Sequence, residues 1–139
     1  MWRAKQLSLA MQLIWMRQRY PSFRARVKRG QLVAIGDLVP SKQSRTYRIK
    51  LLYALRASPR VYVIAPDLSH LPGGDSLPHV YPPDNQLCLY LPGNGEWTQN
   101  MFLADTIVPW ASEWLLWSAI PNSKFRRSQV PEREQSQQA

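Results

Sequence analysis

From Phe23 to Ile64 the chain alternates apolar and polar residues, and that alternation leaves few folds open. Phe23, Ala25 and Val27 share one side while Arg24, Arg26 and Lys28 share the other, as in a half-buried strand. Gly30 permits a turn, and Leu32 to Ile35 reads as a second strand ending at Gly36. After a loop at Pro40 to Ser44, Tyr47, Ile49, Leu51 and Tyr53 lie opposite Thr46, Arg48 and Lys50. Ser58-Pro59 breaks that run, and Val61 to Ile64 forms a short apolar strand. Successive strands with links this short pair as an antiparallel meander of four.

Helical periodicity flanks the meander. Over Ala4 to Arg19, Lys5, Ser8, Gln12 and Arg19 fall on a polar stripe. Leu7, Met11, Ile14, Leu9, Leu13 and Met16 supply a wide apolar face that should pack on the sheet. Pro21 stops the helix because it lacks an amide hydrogen and restrains Tyr20. A second helix is expected over Asp105 to Ala119, capped by Asp105 or Thr106, with Pro109 near its first turn. Its core stripe is Leu103, Ile107, Trp110, Trp114 and Trp117, and Pro121-Asn122 ends it. The expectation is an α+β domain over residues 1–122, followed by a mobile polar tail at 123–139.

Between the meander and the second helix the chain changes character. Six prolines, with Gly73 and Gly74, crowd Pro66 to Pro92, and Leu68, Leu71, Leu77, Val80 and Tyr81 give the stretch apolar groups to bury. Long loops of this kind in compact domains are usually functional or disordered, and the apolar residues argue against disorder. This one presents Cys88, the sole cysteine. A lone thiol is either a small buried hydrophobe or a reactive group. Alternation puts Leu87 and Leu89 inward, with Tyr81 and Trp97 as further anchors, and leaves Cys88 and Tyr90 nearer water. Zinc is a poor fit: His70, His79 and Cys88 follow one another without a CxxC or HxxxH pair.

At 139 residues with 45% hydrophobic content, the chain suits one folded domain. A single cysteine excludes a disulfide scaffold and suits a reducing compartment. Gln6, Ser8 and Gln12 interrupt the apolar run after Arg3 and Lys5, so no signal peptide is read, nor any membrane span. The reading is cytoplasmic. Charge is divided: residues 1–60 hold fourteen Lys/Arg against Asp37 alone, whereas residues 61–122 hold six acids and no base. The basic part, Arg17 and Arg19 included, is expected to meet an acidic partner. A basic nucleic-acid-binding module is the weaker alternative, because no RNP, zinc-finger or helix-turn-helix signature supports it. There is no GxGxxG or GxxxxGK[ST] nucleotide motif either, and no cofactor is expected.

The order of helix, meander, proline-rich loop with a cysteine, tryptophan and helix resembles the ubiquitin-conjugating-enzyme (UBC) fold. His79 matches the histidine of that family's HPN motif, Cys88 its nucleophile and Trp97 its following tryptophan. Pro59 and the strand after it resemble the family's proline-bearing approach to its last meander strand. More narrowly, HVYPPDNQLCLY, then EW, then ADTIVPWASEWL look like the stand-alone conjugating proteins of short type II CBASS anti-phage operons. The resemblance covers about residues 4–119. It implies that Cys88 forms a thioester with the C-terminus of a cGAS-like nucleotidyltransferase (CD-NTase) and passes it to an amine. His79 would be mostly structural. The HPN triplet reads His79-Val80-Tyr81, which leaves Asn85 or a backbone amide to steady the oxyanion. The competing reading is a non-catalytic UBC-like adaptor with an inert Cys88; retention of the cysteine favours catalysis.

Overall fold

A computed structural model of the chain describes residues 6–66, 80–81, 86–91 and 93–118, with the backbone alone at 80–81. In order these form α1 (Leu9–Arg19), β1 (Arg24–Lys28), β2 (Gln31–Leu38), β3 (Tyr47–Ala54), β4 (Arg60–Ala65), β5 (Val80–Tyr81), β6 (Gln86–Leu87) and α2 (Ile107–Ser118). The class is α+β. The four-stranded meander is present as β1 to β4, each strand antiparallel to the next. Two short strands extend it, so the sheet has six strands in the order β1-β2-β3-β4-β6-β5. The tail expected at 123–139 lies outside the described residues.

Helix α1 starts at Leu9, later than periodicity suggested. Ser8 is in an extended conformation and its Oγ accepts the Met11 amide at 3.1 Å. One residue earlier, the Leu7 amide donates to the Gln99 carbonyl at 3.1 Å, which ties that segment to the loop after Trp97. The face of α1 also needs correcting. Gln12, expected on the polar stripe, is 1% exposed, whereas Met11 and Ile14 are 48% and 58% exposed. Gln12 is buried because both ends of its amide find a backbone partner: Nε2 donates to the Met101 carbonyl at 2.8 Å and Oε1 accepts the Leu103 amide at 2.9 Å. Hydrophobicity counts place an amide in water; two complementary backbone groups place it in the core. Met16, one turn further on, completes the buried contact with the sheet.

β1 and β2 join through Arg29 and Gly30, both at positive φ (53° and 73°), the conformation of a type I′ hairpin whose twist suits the strands. β2 does not stop at Gly36 but continues to Leu38. A Cβ at Gly36 would come within 2.0 Å of the Phe23 ring, so glycine here is a slot for an aromatic side chain. The inward faces of the strands agree with the alternation: Ala25, Leu32, Ala34, Tyr47, Ile49, Leu51, Tyr53 and Val61 are buried. Val27, at the end of the edge strand, is 37% exposed.

The second helix begins with a single 3-10 turn at Leu103–Asp105 and becomes regular at Ile107. Neither proposed residue caps it with a side chain in the expected way. Thr106 Oγ1 instead donates back to the Phe102 carbonyl at 2.8 Å, and the first helical bond runs from the Trp110 amide to the Thr106 carbonyl at 2.9 Å. The buried stripe is Ile107, Val108, Ala111, Trp114 and Leu115; Trp110 is only partly buried and Trp117 is 36% exposed. Among the described residues, no helix is long and apolar enough to cross a membrane.

Candidate functional site

Cys88 leaves β6 directly after Leu87, where the sheet's hydrogen bonding ends. Its neighbours Leu87 and Leu89 are 3% and 5% exposed, while Cys88 itself is half-buried. Two leucines inserted into the core therefore hold the backbone on either side of a partly accessible sulfur. Tyr90 departs from the expected alternation: it is buried rather than turned to water. The reason is local, because residues 88 and 89 are no longer strand and the two-residue repeat lapses there.

Tyr90 and Trp97 anchor the loop that follows. The Tyr90 ring packs 6.0 Å from Trp110 at 61° and 6.5 Å from Trp97 at 40°; Trp97 meets Tyr53 of β3 edge-on at 5.4 Å and 76°. Trp97 Nε1 donates to Thr106 Oγ1 at 3.1 Å, so the same hydroxyl serves the loop and the start of α2. Between the anchors, Gly93 and Gly95 take φ of 87° and 82°, and the Asn94 side chain accepts the Glu96 amide at 3.0 Å. The Tyr90 phenol is also hydrogen-bonded to Ser58, just before β4. Sequence reasoning named Trp97 as an anchor but gave the other three residues different places: Tyr90 nearer water, Ser58 at a strand break and Thr106 as a helix cap. Nothing local marked the two hydroxyls as partners of the aromatic rings.

Burial raises the Tyr90 pKa; the hydrogen bond to Ser58 acts against this and nearby Glu96 adds to it. Burial likewise raises Tyr47 and Tyr53, whose phenol oxygens are enclosed without a hydrogen-bond partner among the described residues. The folded protein thus holds these phenols protonated past their ordinary value of 10.0. Their stabilisation is complete below the unfolded value and is lost as pH rises toward the higher folded ones. Unfolding midpoints in urea should stay level up to that pH and then fall, while absorbance at the tyrosinate band lags behind that of the unfolded chain. A folded protein titrating like free tyrosine would contradict the burial.

His79 and Asn85, the expected supporting residues, lie outside the described residues, as does the side chain of Tyr81. Among the described residues, no group of three His, Cys, Asp or Glu could hold a metal ion. Arg17 and Arg19, expected among the docking charges, are exposed and also make contacts within the chain. Arg17 donates Nε and Nη2 to the Ala25 carbonyl at 3.2 and 2.8 Å, tying α1 to the edge strand. Arg19 lies 3.4 Å from Asp105, whose two oxygens each accept Trp15 Nε1 at 2.9 Å. These cations join α1 to its neighbours.

The class that emerges is an α+β domain whose single thiol is held half-exposed by an aromatic-anchored loop between a meander and a helix. Residues 12–119 match the family described as Type II CBASS E2 protein, and the chain belongs to that family. It is thus an E2-like protein associated with CBASS components. No curated protein matches the chain significantly.

Proposed function

We propose that this protein is a UBC-type conjugating enzyme in which Cys88 carries a partner's C-terminal acyl group as a thioester, within the reducing cytoplasm. The observation that supports this most directly is Cys88 half-exposed between two buried leucines. An acyl carrier needs a sulfur that a docked substrate can reach, on a backbone rigid enough to hold the reacting atoms in line. An inert core cysteine would be enclosed together with its neighbours. The Cys88 thiolate attacks an activated carboxyl group, whose leaving group departs as the thioester forms. An amine then attacks the thioester carbonyl, the amide forms and the thiolate is released. The oxyanion of each step calls for a donor near Cys88; Asn85 or a backbone amide is assigned that role, and His79 supports the loop.

Membership of the Type II CBASS E2 family supports a cargo from the same system; in this reading it is the C-terminus of the operon's cGAS-like nucleotidyltransferase, and its transfer to an amine regulates anti-phage signalling. Co-expression of the two proteins followed by a non-reducing gel tests this. A covalent band that disappears with thiol reductant is expected, with the mass of both chains less one water. Co-purification of the partner without any such band would leave the protein a non-catalytic adaptor.

A further inference from the structure

Away from Cys88, the outward face of the meander carries a group of cations. Cross-strand register places Arg24, Ile35, Lys50 and Tyr62 in one row and Arg26, Val33, Leu52 and Arg60 in the next. The aliphatic members are half-buried and the arginines exposed, so the face has an apolar centre with a basic rim. At one end Asp37 opposes Arg48, with Arg48 Nε 3.0 Å from Asp37 Oδ1. The register of β3 against β4 shifts between Arg48 and Ile49, an irregularity that re-aims side chains. The ion pair is the wall between two grooves. One, of about 290 Å³, is bordered by Ser22, Arg24 and Ile35. The other, of about 620 Å³, is bordered by Arg45, Thr46 and Ala65-Pro66. Three guanidinium groups thus face one carboxylate, which neutralises only one of them.

We infer that the two grooves beside the Asp37–Arg48 pair form a docking site for an acidic peptide segment of a partner protein. Its carboxylates meet Arg24 and Arg45, whose forked donors match carboxylate geometry, and its apolar side chains lie on Ile35. Nucleic acid fits less well. Single strands stack successive bases on aromatic platforms, and these rows offer Val33, Ile35 and Leu52 with one tyrosine. A second copy fits less well too, because pairing this face with itself would oppose like charges in chains of net charge +9. The site uses no residue around Cys88, so it stands whether or not the thioester reading holds.

The test uses the full chain carrying Cys88→Ala, which removes thiol chemistry, and a short fluorescein-labelled peptide of alternating glutamate and leucine. Fluorescence anisotropy at low salt should show binding that weakens as salt rises. The double variant Arg24→Glu/Arg45→Glu should lose about tenfold or more in affinity, because each reversal replaces a carboxylate partner with a repelling charge. Lys28→Glu/Arg29→Glu, the same charge change at the opposite end of the face, should lose less than about twofold. Asp37→Asn should tighten binding, since it removes the one repelling carboxylate. Equal losses in both double variants would reduce the effect to bulk charge and overturn the site. So would an absence of peptide binding, tighter binding of a single-stranded oligonucleotide that displaces the peptide, or a dimer in sedimentation that Arg24→Glu dissociates. Thermal melts of each variant confirm that the fold is retained, as expected for exposed charges.

Discussion

Cys88→Ala is expected to abolish the reductant-sensitive partner adduct completely while leaving the fold intact. The effect on chemistry is all-or-none because the chain has no other cysteine to take the acyl group. The effect on stability is small, within about 1 kcal/mol, because the side chain is half-exposed and loses a single sulfur. Cys88→Ser separates nucleophilic chemistry from mere contact more sharply. A serine oxygen that accepts the acyl group forms an ester, and the alkoxide is a poorer leaving group than the thiolate, so the adduct should now survive reductant. An adduct of unchanged amount and unchanged reductant sensitivity in Cys88→Ala would place the covalent bond elsewhere and end the carrier reading.

Among the described glycines, Gly36 is the one where an added methyl group meets other atoms, and Gly36→Ala should cost substantial stability. Its Cβ would lie 2.0 Å and 2.3 Å from ring carbons of Phe23. The ring cannot swing clear easily, because Phe23 is 6% exposed and packs against Tyr20 at 5.0 Å. The backbone is held as well, since Gly36 is registered against Ile49 in the middle of the sheet. Overpacking of this kind costs about 3 kcal/mol, a large part of the roughly 5–15 kcal/mol that holds a domain folded. The melting temperature should fall by about 10 °C for a domain of this size. Phe23→Leu in the Gly36→Ala background should recover part of the loss, since residues in contact are energetically coupled. A neutral Gly36→Ala would show that the slot is not what keeps glycine there.

Much of the candidate site was readable in one dimension. Cys88 was marked by being the only thiol, by the prolines before it and by apolar neighbours at both sides. The burial of Leu87 and Leu89 followed from a strand pattern that runs up to the cysteine. Tyr90 was misplaced because the same pattern was carried past the end of β6, and geometry that depends on strand hydrogen bonds lapses where the bonds do. What the pattern could not show of Arg17 is its second contact: the exposed guanidinium also donates to an edge-strand carbonyl that only the fold brings within reach.

The sequence by itself determined the α+β class, the antiparallel order of β1 to β4 and the inward faces of their strands. Those properties rest on alternation and on turn residues, which act between neighbours along the chain. Tertiary structure decided where polarity and size could be reconciled with the core. Gln12 is buried because Met101 and Leu103 offer one acceptor and one donor that only meet it in the folded chain. Gly36 sits inside β2 because an aromatic ring from before β1 fills the space its missing side chain leaves. Thr106 Oγ1 links Trp97 to the Phe102 carbonyl rather than capping α2, and the third helical position that a cap would serve is Pro109, which has no amide hydrogen. Each of these outcomes depends on a partner distant along the chain or on a loop conformation, and neither is written in a local pattern of hydrophobicity.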